Sequence, residues 1–156
     1  MSLVRPATDA DIPELLRLRA LLFGGLSETG WGAPPPGDEW RRACADALRE
    51  RLTDDTVHTL VVDGDTGLAA CGIGAIDRRL PSPYNPRGLV GHVFGVVTDP
   101  AHRRHGHSRS IMEVLLGWFT DQGVRRVDLN ASPDGEPLYR SLGFSEHPDP
   151  TLSLKR

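Results

Sequence analysis

Hydrophobic positions change period several times along this chain, and each change predicts an element. Leu3-Val4-Arg5 reads as a short strand. A helix follows, capped at Thr8, Asp9 or Asp11, with Pro13 in its first turn and Leu15, Leu16, Leu18, Leu21 and Leu22 on its apolar face. Gly24-Gly25 is expected to stop it. Leu26 to Gly37, with Trp31 and Pro34-Pro35-Pro36, is a long loop of the kind that in compact domains often serves function. Asp38 then caps a second helix, Glu39 to about Leu52, with Trp40, Ala43, Ala47 and Leu48 on one side.

The pattern next turns to strands. Val57 to Val62 is one, Asp63 to Gly67 a hairpin turn, and Leu68 to Ile76 the returning strand. Gly72 and Gly74 weaken that strand or permit close backbone approach. After a proline-punctuated loop from Arg78 to Pro86, Val93 to Thr98 is apolar and β-branched, and Pro100 ends it because proline cannot donate to the ladder. From Ser108 the period becomes helical, with Ile111, Met112, Leu115, Leu116 and Phe119 on one stripe until Gly123. Val124 to Ala131 alternates as a further strand, with Asp128 and Asn130 on the face opposite Val127 and Leu129. Glu136 to Leu142 is a short helix stopped by Gly143, and Phe144 to Leu154 is expected to add a last strand or two. Strands that first pair antiparallel and then alternate with helices imply an α/β chain: a mixed sheet with helices on both faces, in one domain over residues 1–156.

Composition agrees with that picture and removes alternatives. A chain of 156 residues buries roughly two thirds of its unfolded surface, enough for a core without staples. A formal charge of −3 and 6% aromatic residues leave neither a basic field nor stacking platforms for nucleic acid. No apolar run approaches the ~20 residues of a membrane span, and no signal peptide precedes Val4. Cys44 and Cys71 have neither metal nor disulfide spacing and read as small buried hydrophobes, which suits a reducing cytoplasm. Of the 18 basic residues only Lys155 is lysine, an arginine bias that points to a GC-rich bacterial genome.

The chemistry concentrates between the apolar strand and the helix that follows, in Arg103-Arg104-His105-Gly106-His107-Ser108. The first N–H groups of a helix lack intrahelical partners and carry the positive end of its dipole. Small residues at Gly106 and Ser108 let an anion approach the backbone, and Arg103 and Arg104 can add charge-assisted hydrogen bonds. A pyrophosphate fits this arrangement better than a lone carboxylate.

Here the chain resembles the GNAT superfamily of N-acetyltransferases. Arg103, Gly106 and Ser108 follow that family's Arg/Gln-x-x-Gly-x-Gly/Ala signature, with Ser in the last place. Leu138-Tyr139-Arg140-Ser141-Leu142-Gly143-Phe144 is similar to its closing Leu-Tyr-x-x-Leu-Gly-Phe, and Val4 to Asp11 to its opening strand and helix entry. The resemblance implies a GNAT-like fold, a mixed and mostly antiparallel sheet. It implies acetyl-CoA as cosubstrate, with Arg103, Arg104, His105, Gly106, His107, Ser108 and Arg109 around the pyrophosphate. It further implies that Val96, Val97 and Thr98 hold the pantetheine arm and acetyl carbonyl through backbone groups of a strand splayed from its neighbour. Tyr139 falls at the family's general-acid position, where a phenol can protonate the departing thiolate. The segment between the first two helices would shape the acceptor site.

The general base is less defined. The family often uses a Glu on the central strand or its neighbour, and Val90 to Thr98 contains none. His92, with an ordinary pKa of about 6.5, and Asp128 on the next strand are the two candidates, each also readable as a satisfied polar residue at a strand edge. His102, His105 and His107 lack accompanying ligands at metal spacing, so no metal is expected. Glu28, Asp38, Glu39 and Asp77 could border the acceptor cleft and steer a cationic amine, or be solvated surface. The expected activity is direct acetyl transfer from acetyl-CoA to a primary amine, small molecule or peptide, since no Cys or Ser stands in a nucleophile arrangement. The alternative is an acyl-CoA-binding sensor module without turnover. A homodimer is left open, and no nucleic acid or membrane partner is expected.

Overall fold

Antiparallel pairing builds most of the sheet. A computed structural model describes residues 3–26 and 30–156. Among these, strands β1 (Val4–Pro6), β2 (Val57–Asp63), β3 (Leu68–Arg78), β4 (Leu89–Thr98) and β5 (Arg126–Leu129) lie in the order β1-β2-β3-β4-β5. The first four pair antiparallel, and β5 joins β4 in parallel after a helical crossover. The helices are α1 (Ile12–Leu26), α2 (Glu39–Leu52), α3 (His107–Asp121) and α4 (Glu136–Ser141). Single 3-10 turns at Asp9–Asp11 and Pro100–His102 lead into α1 and follow β4.

The strand period of two sends alternate residues to two cores. Leu60 and Val62 join Ile111, Met112, Leu115 and Phe119 of α3 on one face, together with Tyr139 of α4. Val61, Cys71, Ile73 and Val97 meet Leu15 and Leu18 of α1 and Leu48 of α2 on the other. Helices therefore cover both faces, as the alternation of elements implies.

The structure departs from the sequence expectation at several places, and β4 begins at Leu89 rather than Val93. α1 continues through Gly24 and Gly25 to Leu26; neither glycine takes the left-handed conformation that ends a helix, so each only lowers helix propensity. Ala43 of α2 is exposed, and Cys44 and Leu52 pack beside Leu48 instead. β5 is shorter than Val124 to Ala131, because the chain turns off the sheet: the Gly135 and Glu136 N–H groups both reach back to the Ser132 carbonyl, at 3.1 and 2.9 Å, to start α4. Phe144 to Leu154 forms no strand. Pro148 and Pro150 remove ladder donors, and His147 Nδ1 accepts the Asp149 N–H locally at 2.9 Å.

Two irregularities of β4 set up the functional geometry. Cys71 faces Val97 and Ile73 faces Phe94, so Gly72 of β3 stands opposite both Gly95 and Val96. This β-bulge has Gly95 at φ +63°, a conformation suited to glycine. Pairing with β5 runs only from Val90↔Arg126 to Val93↔Leu129, while β4 itself continues to Thr98. The end of β4 thus stands apart from β5.

Candidate active site

The loop after β4 is shaped by two left-handed residues. Arg104 has φ +67° and Gly106, the residue that opens α3, has φ +75°. Arg104 is the single described residue other than glycine with positive φ, a conformation that costs an L-residue roughly 1–2 kcal/mol. Such turns direct successive N–H groups to one concave side. The first closed bond of α3 runs from Ser110 N–H to the Gly106 carbonyl at 3.0 Å, leaving the preceding N–H groups without helical acceptors. A Cβ placed on Gly106 would find nothing within 4 Å, so the backbone there is open to a ligand. Arg103 and Arg104 are exposed, with no hydrogen bond or ion pair among the described residues. Arg109 instead donates to Ser141 Oγ at 2.8 Å and ties α3 to α4.

Neighbouring side chains support the loop. The Thr98 and Ser108 hydroxyls share a 2.8 Å hydrogen bond, joining the end of β4 to the start of α3. Asp99 Oδ1 accepts the Ala101 N–H at 2.8 Å, and Asp99 Oδ2 accepts from Arg17 Nη1 of α1 at 2.6 Å. His105 and His107 stack at 5.8 Å. Burial, then the neighbouring His105, hold His107 below the usual imidazole range. Among the described residues no group of three His, Cys, Asp or Glu side chains is placed to hold a metal ion.

Tyr139 projects from α4 into the core that contains Val93 of β4, with Val96 packed against the same cluster. Its ring meets Phe144 edge-on at 6.1 Å. The residue is 9% exposed, and its hydroxyl makes no hydrogen bond among the described residues. Burial raises its pKa, which keeps the phenol protonated and able to give up a proton.

His92 and Asp128 are register partners across β4 and β5. His92 is exposed and stacks on Phe94 at 5.5 Å. Asp128 is gripped by Arg126 through bonds of 3.1 and 3.0 Å, and Arg126 also contacts His147 Nε2 at 2.7 Å. Of the pair, only His92 is free of such a clamp.

On the other face a cavity of about 760 Å³ opens between α1, α2 and the β4 bulge. Phe23, Trp40 and Phe94 give it aromatic walls, Pro34 to Pro36 close one side, and Gly95 and Val97 form its floor. Its charged lining is Arg19, Glu39 and Arg51. Cys71 also faces it, donating to the Gly95 carbonyl at 3.4 Å, with its thiol pushed up by burial to about 12. Such a thiol is a poor nucleophile. Glu39 is the one acidic candidate on this cavity; Asp38 and Asp77 pair with Arg41 and Arg79, and Glu28 lies outside the described residues.

Sequence reading missed Arg19, Phe94 and Gly95. The signal for Arg19 was present: it follows Leu15 and precedes Phe23 by four residues, so a guanidinium interrupts an apolar helix stripe. Gly95 gave one as well, since an isolated glycine within an apolar strand marks a bulge or a close backbone approach.

Comparison with known proteins agrees with this architecture. The model of the Acetyltransferase (GNAT) family matches residues 27–144. Glucosamine 6-phosphate N-acetyltransferase 1 of Oryza sativa subsp. japonica is 30% identical over 141 residues, covering 85% of this chain and 83% of that protein. Among solved structures, a predicted acetyltransferase from Clostridium acetobutylicum with acetyl-CoA superposes with TM-score 0.85 at 19% identity, covering 99% of this chain and 96% of the other. Glucosamine-6-phosphate N-acetyltransferase from Arabidopsis thaliana gives 0.69 at 21% identity, covering 100% and 97%. The chain belongs to the GNAT acetyltransferase family. That family uses acetyl-CoA, and the residues here fit the group: the left-handed loop with open backbone at Gly106 suits a pyrophosphate, and the β4 end beyond Val93 offers an edge without a β5 partner.

Proposed function

We propose that this protein is an acetyl-CoA-dependent N-acetyltransferase that acts on a primary amine. The observation that carries the reading is the junction of the unpaired β4 end with the left-handed Arg104–Gly106 loop. Acetyl-CoA would supply an activated acyl carbonyl: an N–C bond forms, the C–S bond breaks, and of the two protons lost by the ammonium one goes to the thiolate and one to solvent. Arg103, Arg104 and the first N–H groups of α3, through His105, Gly106, His107 and Ser108, would hold the pyrophosphate, with Arg109 bracing α3 against α4. Val96, Val97 and Thr98 would orient the pantetheine arm and acyl carbonyl. Tyr139, kept protonated by burial, would give its proton to the departing sulfur. His92 is the better-supported base, because Asp128 is held by Arg126; the exposed imidazole could act through water. The buried thiol of Cys71 disfavours a covalent acyl-enzyme and favours direct attack.

Acetyl-CoA at ~100 times its dissociation constant should stabilise the fold by roughly 2.7 kcal/mol, read as a thermal shift of protein freed from cofactor. Gly106→Asp tolerates the left-handed backbone but puts a carboxylate at the loop, so the fold should persist while calorimetric affinity falls steeply. Turnover of an amine panel completes the test. Undiminished affinity in the variant would remove the loop from the site, and tight acetyl-CoA binding without turnover of any amine would favour an acyl-CoA-sensing module.

A further inference from the structure

The cavity on the α1–α2 face has a chemical signature of its own. Arg19 is half-buried on α1, with its guanidinium over the Phe23 ring at 5.0 Å from the centroid. It makes no hydrogen bond and no ion pair among the described residues, whereas Arg17 on the same helix is saturated by Glu14, Asp99 and the Leu68 carbonyl. A half-buried cation without an anion is incompletely compensated, and a guanidinium resting over an aromatic ring offers its fork of donors to a carboxylate. Arg51 adds a second positive charge to the cavity against the single carboxylate of Glu39.

Position narrows the ligand. A Cβ built on Gly95 would lie 3.7 Å from Arg19 Nη1, so the guanidinium hangs directly over the β4 bulge. The residues expected to orient the acyl group begin at Val96. An amine attacking an acyl carbonyl held there would lie beside Arg19, which favours an acceptor whose anionic group is close to its nitrogen. Apart from Glu39 and Arg51, the cavity is walled largely by apolar side chains, among them Phe23, Trp40, Leu48, Ile73 and Phe94, which suits an apolar body. Its volume, about 760 Å³, lies within the usual ~300–1,000 Å³ range of small-ligand sites.

We infer that the acceptor is an α-amino acid with an apolar or aromatic side chain, its carboxylate bound by Arg19 and its side chain seated between α1 and α2. The inference rests on the acetyl-transfer reading for its chemistry, but its geometry can be tested apart from turnover. The first arm compares kcat/KM for L-phenylalanine, L-phenylalaninamide, 2-phenylethylamine and glucosamine 6-phosphate with acetyl-CoA. The free acid should exceed the amide and the amine by ~10-fold or more, as loss of a charge-assisted hydrogen bond predicts. Arg19→Gln should collapse that ratio toward one, and Arg19→Lys should restore part of it. The second arm titrates N-acetyl-L-phenylalanine into the protein with coenzyme A present. Wild type should bind it, and Arg19→Gln should weaken binding at least tenfold while retaining its acetyl-CoA-induced thermal shift. Acetylation of amines without preference for the acid overturns the inference and leaves the acetyltransferase reading intact. Arg19-dependent binding of the acetylated acid without turnover of any amine upholds the cavity assignment and sinks the catalytic reading. Absence of both binding and preference defeats the inference.

Discussion

Tyr139 shows how one residue acquires a role from its surroundings. Its ring is packed against Phe144 and its hydroxyl makes no hydrogen bond among the described residues, so the proposed proton transfer would use an atom that packing does not. Tyr139→Phe removes the oxygen and keeps the ring. Turnover should therefore fall by ~10²-fold or more while acetyl-CoA affinity is unchanged. The defect should shrink with an acyl donor whose leaving thiol is more acidic, because that thiolate needs less protonation. Steady-state kinetics with both donors reads this directly, and equal turnover by mutant and wild type with chemistry rate-limiting would leave Tyr139 a packing residue. Arg104 makes a complementary point: its left-handed backbone is strain at the spot where N–H groups must converge. No propensity pattern predicts that strain, since the same Arg-Arg pair would sit unstrained in an ordinary surface turn.

At the scale of elements, the contact between β3 and α3 depends on missing side chains. A methyl group on Gly72 would stand 2.6 Å from Ile111 Cγ2, inside the fully buried stripe of α3. The same glycine lies opposite the β4 bulge, so packing on one face fixes the backbone that forms the cavity floor on the other. Gly72→Ala should cost roughly 1–3 kcal/mol by overpacking. Gly117→Ala, on α3 with nothing within 4 Å of its Cβ, should gain up to about 1 kcal/mol from helix propensity. Urea denaturation midpoints should move in opposite directions for the two changes. A neutral Gly72→Ala would mean that α3 can slide on the sheet and that the bulge does not depend on this contact.

Across the whole molecule, a network of charges locks α1 onto the sheet at the end where the loop begins. Arg17 joins Glu14, Asp99 and the Leu68 carbonyl, and Glu14 Oε1 in turn accepts the Leu68 N–H at 2.8 Å. Arg5 joins Asp11 and Asp63 beside it. Arg17 holds the Glu14 and Asp99 carboxyls below their usual range, and Arg5 does the same for Asp11 and Asp63. Carboxylates depressed in the native state contribute stability above their unfolded pKa values, about 3.9 for Asp and 4.3 for Glu. That stability is lost as pH falls from about 5 through the native values. Melting temperature should therefore drop on acidification below pH 5. Arg17→Met should lower it at pH 7 and by less at pH 3, where part of the carboxylate contribution has been lost. A deficit of the same size at both pH values would show that the residue acts by packing alone. Among the described residues no helix is long and apolar enough to cross a membrane.

Local pattern was enough for the order of elements, the mixed sheet covered on both faces, the turn between β4 and α3 and the short helix bearing Tyr139, because period, glycine and proline act over a few residues. It failed at element ends, where a local preference alone does not decide. Gly24-Gly25 stayed helical, and Phe144 to Leu154 gained no strand partner. The features that define the candidate site are of the second kind. The break between β4 and β5 arises because the chain leaves the sheet after Leu129, and the bulge arises because Gly72 of one strand must span Gly95 and Val96 of another. Arg19 was visible as a charge in an apolar stripe, but only the fold brings it over that bulge, the 75 residues between Arg19 and Gly95 having no say in local propensity. Sequence determines which groups are available; tertiary structure decides which of them share a cavity, because side chains distant along the chain meet only through packing of the elements that carry them.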